Sequence, residues 1–509
     1  MAYRPCLLVI LDGFGHADPS PFNAISLANK PNFDYWLRHY PHTYLEASGK
    51  AVGLPSGFIG NSEVGHETIG AGRIIKQPLI IMNEAIDRGA LARNPLLQEL
   101  MQRIAAQDKA LHIMGLLSDA GVHSYLEHLF FFLKLAKQYG IKRTYIHAFL
   151  DGRDVAPKSA QYFLQRLDDV IMQEHYGAVA SIQGRFYAMD RDNNWDRTIK
   201  SFHALTGHND PSKDQRFTTW HDALEYYYAR GITDEFIPPT RLDDGAAIAD
   251  DDGVLSINFR ADRMRQLASC FLCPEKLPML ITPPKLFYFI TPFPYAKFLP
   301  TQVLFTMPSV ENTLKEVLSA HGKSIFTIAE TEKYAHVTYF FNGEKEDVLA
   351  HEHRELISSI KAKTYVEHPC MSAPHITSSV VQALQEEYYD FFLINYANAD
   401  MVGHSGSIPA TIKAVECLDK QLGALYKIAV KHYHGTMLVT ADHGNAEMMW
   451  DPVTQQPHTA HTTSPVPCII LDERLFDGHR QLSLKGLSDI APYLLYMMGI
   501  TPPDVMRHE

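Results

Sequence analysis

Short, continuous apolar runs recur along the chain, each closing in a charged or glycine-bearing loop and followed by a stretch of helical spacing. The first, Cys6-Leu7-Leu8-Val9-Ile10-Leu11, ends in Asp12-Gly13-Phe14-Gly15. A run apolar at every position, rather than at alternate ones, predicts a strand covered on both faces. Leu97, Leu100, Met101 and Ile104 then fall on one helical face. Residues 111–117 are apolar and end in Ser118-Asp119-Ala120-Gly121-Val122-His123; residues 126–139 read as a helix stopped by Gly140. Residues 145–150 end in Asp151-Gly152-Arg153-Asp154, and a helix through Tyr162, Leu164 and Leu167 follows. Residues 178–182 end in Gln183-Gly184-Arg185 with Asp190-Arg191-Asp192 soon after, residues 254–259 in Arg260-Ala261-Asp262-Arg263, and residues 286–290 in Thr291-Pro292. Residues 297–308, rich in Pro, Thr and Phe without periodicity, read as a linker. Beyond it, strands are expected at 324–328, 391–396, 436–440 and 466–471. Strand, charged loop, helix, repeated, predicts an α/β protein with mostly parallel sheets, and the length predicts two or three domains.

In such sheets the ligand site lies beyond the carboxyl ends of the strands, so the loop residues there matter most. Asp12 is one; an Asp-Gly pair is also a common turn former, and that reading stays open. In the middle of the chain, the runs end in His123, in Arg153 with Asp154, in Arg185, and in Arg260 with Arg263. A single arginine is ordinarily a surface charge. Four basic ends at equivalent strand termini would converge, and convergent guanidinium groups bind phosphate or carboxylate. Toward the C-terminus, Asp400-x-x-x-His404 puts a carboxylate and an imidazole on one face if the segment is helical. Asp442-His443 adds two ligand types at another strand end, and His458 and His461 lie in a polar loop. With Asp12 these make at least six oxygen and nitrogen donors and no thiolate, a set suited to Mn²⁺, Zn²⁺ or Mg²⁺. More than four donors points to two ions, as in two-metal phosphoryl-transfer sites.

Gly60-Asn61-Ser62-Glu63-Val64-Gly65-His66 follows a Gly/Pro/Ser-rich loop and leads into a helix expected from Glu63 to Ile69. Ser62 is placed there either as the helix N-cap or as a nucleophile facing phosphate, where free backbone N–H groups and the positive helix end favour an anion.

Composition narrows the class. A net charge of -12 argues against a nucleic-acid partner while leaving room for a local basic cluster. There is no window apolar enough for a membrane span and no signal-peptide layout at the start, so a cytoplasmic location is expected. The six cysteines read as scattered thiols in a reducing compartment; Cys270-x-x-Cys273 lacks the second pair that structural zinc would need.

The ordered set Leu11-Asp12-Gly13-Phe14-Gly15, Gly60-Asn61-Ser62-Glu63-Val64-Gly65-His66, Leu150-Asp151-Gly152-Arg153-Asp154, Asn258-Phe259-Arg260-Ala261-Asp262-Arg263, Glu330-Thr331-Glu332-Lys333-Tyr334-Ala335-His336, Asp400-Met401-Val402-Gly403-His404 and Ala441-Asp442-His443-Gly444-Asn445 resembles the cofactor-independent phosphoglycerate mutases, within the alkaline-phosphatase-like metalloenzyme superfamily. The resemblance spans essentially the whole chain. It implies a phosphatase-like metal-binding domain at 1–76 and 308–509, with a phosphotransferase domain inserted at 77–307. It implies a glycolytic and gluconeogenic isomerase that interconverts 3-phosphoglycerate and 2-phosphoglycerate through a phosphoserine, with two Mn²⁺ ions or other divalent metals. By motif, Asp400, His404 and His461 would hold one ion, and Asp12, Ser62, Asp442 and His443 the other. His123, Arg153, Asp154, Arg185, Arg191, Arg260, Arg263 and Lys333 would bind substrate. His461 is favoured over His458 because it directly precedes the Thr-Thr-x-Pro-Val-Pro run. Phe14 stands where many members have Trp, Ala399 and Ser405 where Pro and Thr are common, and Asn194 where Arg is frequent, the last bearing on the charge around Arg191.

The mechanism implied has Ser62 take the phosphoryl group while glycerate stays bound, reorients and takes it back. Asp154 is the candidate acid/base, Lys333 offsets phosphate charge, and closure of the two domains excludes water. A monomer is expected. Two alternatives remain: a metal-dependent phosphomonoesterase of the same superfamily, against which the arginine-rich insert argues, and a non-catalytic metal- or anion-binding protein, which a degraded site would favour.

Overall fold

The apolar runs become the central strands of two sheets. The structure, a computed structural model, describes residues 4–207, 217–307, 309–362, 364–386, 389–452, 455–477 and 482–507. The chain divides into one unit of Met1–Gln77 with Ser309–Glu509 and a second of Pro78–Pro308. In chain order the strands are β1 (Cys6–Leu11), β2 (His42–Leu45), β3 (Ala110–Leu117), β4 (Arg143–Leu150), β5 (Ala178–Gly184), β6 (Thr240–Arg241), β7 (Gly253–Ser256), β8 (Tyr288–Thr291), β9 (Gln302–Val303), β10 (Ile325–Glu330), β11 (Glu352–Ile357), β12 (Phe391–Tyr396), β13 (Thr436–Thr440), β14 (Trp450–Asp451), β15 (Gln456–Pro457) and β16 (Val466–Leu471).

In the first unit a seven-stranded sheet runs β11-β10-β12-β1-β13-β16-β2. The pairings from β11 to β13 are parallel, and β16 is antiparallel to both its neighbours. Every residue of β1, β12 and β13 is buried, as strands covered on both faces must be. Burying each Leu, Ile or Val there is worth about 1.5–3 kcal/mol. In the second unit the order is β6-β5-β4-β3-β7-β8-β9, parallel except at the β6 edge. Its interior holds a buried polar chain: His112 Nε2 meets Asp252, His112 Nδ1 meets His147 Nε2 at 2.9 Å, and His147 Nδ1 meets Ser181 Oγ at 2.8 Å. Buried imidazoles keep their hydrogen bonds in this way.

The structure corrects several sequence expectations. The strand expected at 254–259 ends at Ser256, because Asn258 turns its amide to Leu116 N and begins the loop. The linker at 297–308 contains β9, which pairs with β8; Pro308 lies outside the described residues. The helix through Tyr162 (Ala160–Glu174) buries Phe163, Leu164 and Leu167 and leaves Tyr162 exposed. The cysteines are not all thiols: Cys370 and Cys417, 47 positions apart, form a disulfide, while Cys6, Cys270, Cys273 and Cys468 are free and buried. Among the described residues, no helix is long and apolar enough to cross a membrane.

Candidate active site

In the first unit, four adjacent strands deliver the site in their own order. Beyond the carboxyl end of β10 stands Lys333, beyond β12 Asp400, beyond β1 Asp12, and beyond β13 Asp442 and His443. β16 runs the other way, so the loop entering it brings His461 to the same edge. Helix α1 (Ser62–Ala71) starts there too. Its N-cap is Asn61, whose Oδ1 accepts from Val64 N at 3.1 Å. Ser62 is the first helical residue, not the cap, and its hydroxyl is left for other partners.

That hydroxyl donates to Asp12 Oδ1 at 3.1 Å, lies 3.0 Å from His443 Nε2 and accepts from Lys333 Nζ at 2.7 Å. Lys333 also reaches Asp12 Oδ1 at 2.6 Å and Asp400 Oδ2 at 2.7 Å. Two glycines permit the crowding. A side chain on Gly13, whose φ is +72°, would come within 2.6 Å of Asp400 Cα, and one on Gly65 within 2.6 Å of the Asp442 carbonyl oxygen.

Two groups have the donors and the spacing to hold a cation: Asp12, Asp442 and His443, all fully buried, and Asp400, His404 and His461. Helix α2 (Asn398–Gly403) places Asp400 Oδ1 at 3.1 Å from His404 Nε2, the i,i+4 geometry the spacing predicts; His461 Nε2 is 3.2 Å from the same oxygen. Each of the three imidazoles sets Nδ1 against a main-chain carbonyl: His404 on Thr459 at 2.7 Å, His461 on Gly60 at 3.0 Å, His443 on Gly444 at 3.2 Å. Nε2 is thereby turned inward in all three, the arrangement in which a backbone acceptor orients a metal-binding imidazole. Asp442 Oδ2 is buried without a hydrogen-bond partner. A divalent cation fits this donor set.

Electrostatics agrees with that reading. Burial would raise Asp12, but Lys333 and His443 hold it well below the usual carboxylate range; Asp400 is likewise depressed against burial, by Lys333, His404 and His461. Burial opposes charging His443, yet Asp442, Asp12 and Asp400 push it up to about 9. His404 is raised against burial by Asp400, whereas burial and His443 lower His461. Lys333 is raised against burial by Asp12, Asp400 and Asp442, and so stays an ammonium.

In the second unit, adjacent strands β5, β4, β3 and β7 deliver Arg185, Asp151 with Arg153 and Asp154, His123, and Arg260 with Arg263. Buried Arg185 bridges Asp151 at 2.6 Å and Asp154 at 2.5 Å. Asp262 accepts from Arg191 at 2.7 Å and lies 3.2 Å from Arg260. His123 sits between Asp154, at 3.9 Å, and Asp262, at 3.8 Å. Burial, then Arg185, Arg260 and Arg263, hold His123 well below its usual range against Asp262, so it is neutral at neutral pH. Arg263 is lowered by burial and by Arg191, Arg185 and Arg153, a sign of crowded like charge. His123 Nδ1, Asp151 Oδ2, Arg185 Nε and Asp262 Oδ1 are buried without hydrogen-bond partners. Crowded guanidinium groups with an unpaired Arg185 Nε donor have the charge and the hydrogen-bonding capacity to hold an anion. Arg153 lies at its exposed edge, 3.4 Å from Glu235. Asn194 binds Asp190 through main chain and amide, both at 2.9 Å.

The predicted residues thus fall into two sets. Lys333, grouped with the substrate-binding residues by resemblance, stands beside Ser62 in the first unit. His458 does not join either cation group. Sequence reasoning missed Asn61, His66, Asn395, Asn445 and Glu447. Asn445 Nδ2 donates to Asp400 Oδ1 at 3.0 Å, and Glu447 accepts from Gly15 N at 3.1 Å and Asn445 N at 2.9 Å. Asn61, His66 and Asn445 stand inside quoted motifs, so their signal was present; nothing marked Asn395 or Glu447.

Comparison with known proteins gives concordant matches. Residues 82–297 match the family model described as BPG-independent PGAM N-terminus. A 2,3-bisphosphoglycerate-independent phosphoglycerate mutase of Legionella pneumophila (strain Corby) is 46% identical over 99% of this chain and 96% of its own length. One from Methanosarcina barkeri, a 2,3-bisphosphoglycerate-independent phosphoglycerate mutase 1, is 44% identical over 100% and 98%. Among solved structures, Leishmania mexicana phosphoglycerate mutase at low cobalt concentration superposes with a TM-score of 0.77 at 31% identity, covering 99% of this chain and 97% of that one.

Proposed function

The chain belongs to the 2,3-bisphosphoglycerate-independent phosphoglycerate mutase family and is an isomerase of that kind, and from this premise we propose that it interconverts 3- and 2-phosphoglycerate through a phosphoserine on Ser62. It does so as a cytoplasmic monomer, in glycolysis and gluconeogenesis, with two Mn²⁺ ions. The observation that carries the reading is the Ser62 hydroxyl, held at a helix start by Lys333, Asp12 and His443 between two cation-type ligand groups.

Asp12, Ser62, Asp442 and His443 would hold one ion, and Asp400, His404 and His461 the other. Such ions, when bound, lower the pKa of a coordinated hydroxyl and offset charge on a transferring phosphoryl group. The rest is the work of side chains. Asp12 Oδ1 orients the Ser62 proton, and the Lys333 ammonium favours the alkoxide and then the phosphoryl charge. Ser62 Oγ, its proton given up to solvent beforehand, bonds to phosphorus as the C3–O–P ester breaks, and Asp154 in its acid form supplies the proton for the freed C3 oxygen; the later break of the Ser62 ester returns the alkoxide. Arg185, Arg191, Arg260 and Arg263, with Arg153 at the rim and neutral His123, hold the carboxylate and phosphate so that glycerate stays and reorients. Asp154 then takes the C2 hydroxyl proton as that oxygen bonds to phosphorus and the Ser62 ester breaks.

The test is formation of 2-phosphoglycerate from 3-phosphoglycerate with 2,3-bisphosphoglycerate omitted, with Mn²⁺ or with chelator, while free phosphate is followed. Turnover without the bisphosphate, abolished by chelation, and a mass increment on Ser62 are expected. A strict bisphosphate requirement, or phosphate release in place of isomerisation, would overturn the proposal, the second outcome favouring the phosphomonoesterase.

A further inference from the structure

His66 lies one helical turn below Ser62 on α1, is fully buried, and has no place in the chemistry above. Its partners fix its state. Asn395 Nδ2 donates to Asp12 Oδ2 at 2.9 Å and lies 3.0 Å from His66 Nε2. An amide nitrogen is a donor only, so Nε2 is the acceptor and the ring proton sits on Nδ1. That Nδ1 lies 2.9 Å from the Ser62 carbonyl oxygen and 3.2 Å from Asp442 Oδ2. An unbroken chain, Asp12–Asn395–His66, therefore ends on the main chain of Ser62, while Asp442 Oδ2 stands beside the same Nδ1 without taking a hydrogen bond from it. It engages Asp12 through Oδ2 and leaves Oδ1 facing Ser62 and Lys333. Asp400 is oriented separately, by Asn445.

We infer that His66, acting with Asn395, is a positioning residue that aligns Asp12 and the Ser62 backbone for one cation and not for the other. This rests on the reading that the Asp12, Asp442 and His443 group holds a divalent cation. A hydrogen-bonded outer partner orients ligand carboxylates, and losing it typically costs about 10–100-fold in metal affinity or activity.

The experiment is a calorimetric titration of chelator-stripped, full-length protein with Mn²⁺, for wild type, His66→Leu and His66→Asn. In His66→Leu one of the two Mn²⁺ affinities should fall about 10–100-fold while the other stays within about threefold. At saturating Mn²⁺, kcat should fall with KM for 3-phosphoglycerate unchanged. His66→Asn, which keeps a donor near the Nδ1 position, should recover most of the lost affinity. A merely structural histidine would weaken both ions together; that result, or two unchanged affinities, or no recovery in His66→Asn, overturns the inference. Should His66→Leu fail to fold, Asn395→Ala cuts the chain at its other end and must meet the same one-site criterion. A wild type that binds no Mn²⁺ refutes the reading beneath; a wild type with two sites and a variant indistinguishable from it refutes this inference alone.

Discussion

His443 ties metal binding to protons in a way that can be measured without turnover. It is fully buried, and burial works against its charge, but Asp442, Asp12 and Asp400 push it up to about 9. In the unfolded chain it titrates near 6.5, an approximate reference value. Because the folded value is the higher one, the stabilisation is fully present below about 6.5 and is lost as pH rises through about 9. Between pH 7 and 8 the metal-free fold carries nearly one proton more than the unfolded chain. Its stability should therefore fall by about 1 kcal/mol per pH unit. Two other groups titrate in this window with opposite signs: Glu67, raised to about 7 by burial and Glu344, adds to the fall, and Lys315, lowered to about 8 by burial despite Glu352, offsets it, so the two nearly cancel at its middle. Metal affinity runs the opposite way. His443 must release its proton to become a ligand, so Mn²⁺ should bind about tenfold more tightly at pH 8 than at pH 7, and somewhat more if His404, also raised, contributes. Urea unfolding of chelated protein at three pH values gives the first slope; calorimetry in two buffers of different ionisation enthalpy counts the protons released. His443→Asn should flatten the stability slope. Stability that is level or rising from pH 7 to 8 in the wild type, with no proton release on Mn²⁺ binding, would refute the reasoning.

Three further outcomes are expected. Ser62→Ala should keep its circular dichroism spectrum and lose turnover by several orders of magnitude, up to about 10⁶ by analogy with other covalent sites, in a coupled 2-phosphoglycerate assay; a largely active variant would remove the phosphoserine. Gly65→Ala would set a methyl 2.6 Å from the Asp442 carbonyl oxygen, so denaturant titration should show a loss of about 1–3 kcal/mol. Its kcat should drop about 100-fold from the displaced ligands. Arg263→Gln should raise KM about tenfold or more by removing a charged hydrogen bond worth about 1.5–3 kcal/mol. It should leave thermal stability level or slightly higher, because it relieves the crowding with Arg191, Arg185 and Arg153.

The parts of the fold that could be read in advance are those where one residue type answers one physical demand. β1, β12 and β13 are apolar at every position because both faces are covered, and strand ends in a parallel sheet gather on one edge, which is why Asp12, Asp400 and Asp442 could be grouped. Where two residues satisfy the same demand, the order was illegible: Asn61 and Ser62 are both good caps, and only the structure gives the cap to Asn61. β2, His42–Leu45, is half polar and pairs at the edge with β16, so its period carried no clear signal. Cys370 and Cys417 are joined across 47 positions, a proximity that spacing cannot reveal. Asn395 sits inside an apolar strand, where a single polar residue gives no hint that its amide serves Asp12.

The interleaving of the first sheet has a consequence for how the protein is made. β1 lies between β12 and β13, and β2 is the edge strand beside β16, so among the described residues neither early strand has a neighbour from its own end of the chain. As the polypeptide leaves the ribosome, Cys6–Leu11 waits, apolar along its whole length, until its first neighbour, Phe391–Tyr396, has emerged. The second unit is continuous in sequence and can close its sheet during that wait. Domains generally fold as units during synthesis, and an unpaired apolar strand is a template for aggregation. Ser62 and Asp12 are thus translated early and assembled last, and the wait exposes the nascent chain to chaperones, or to misassembly, for most of translation.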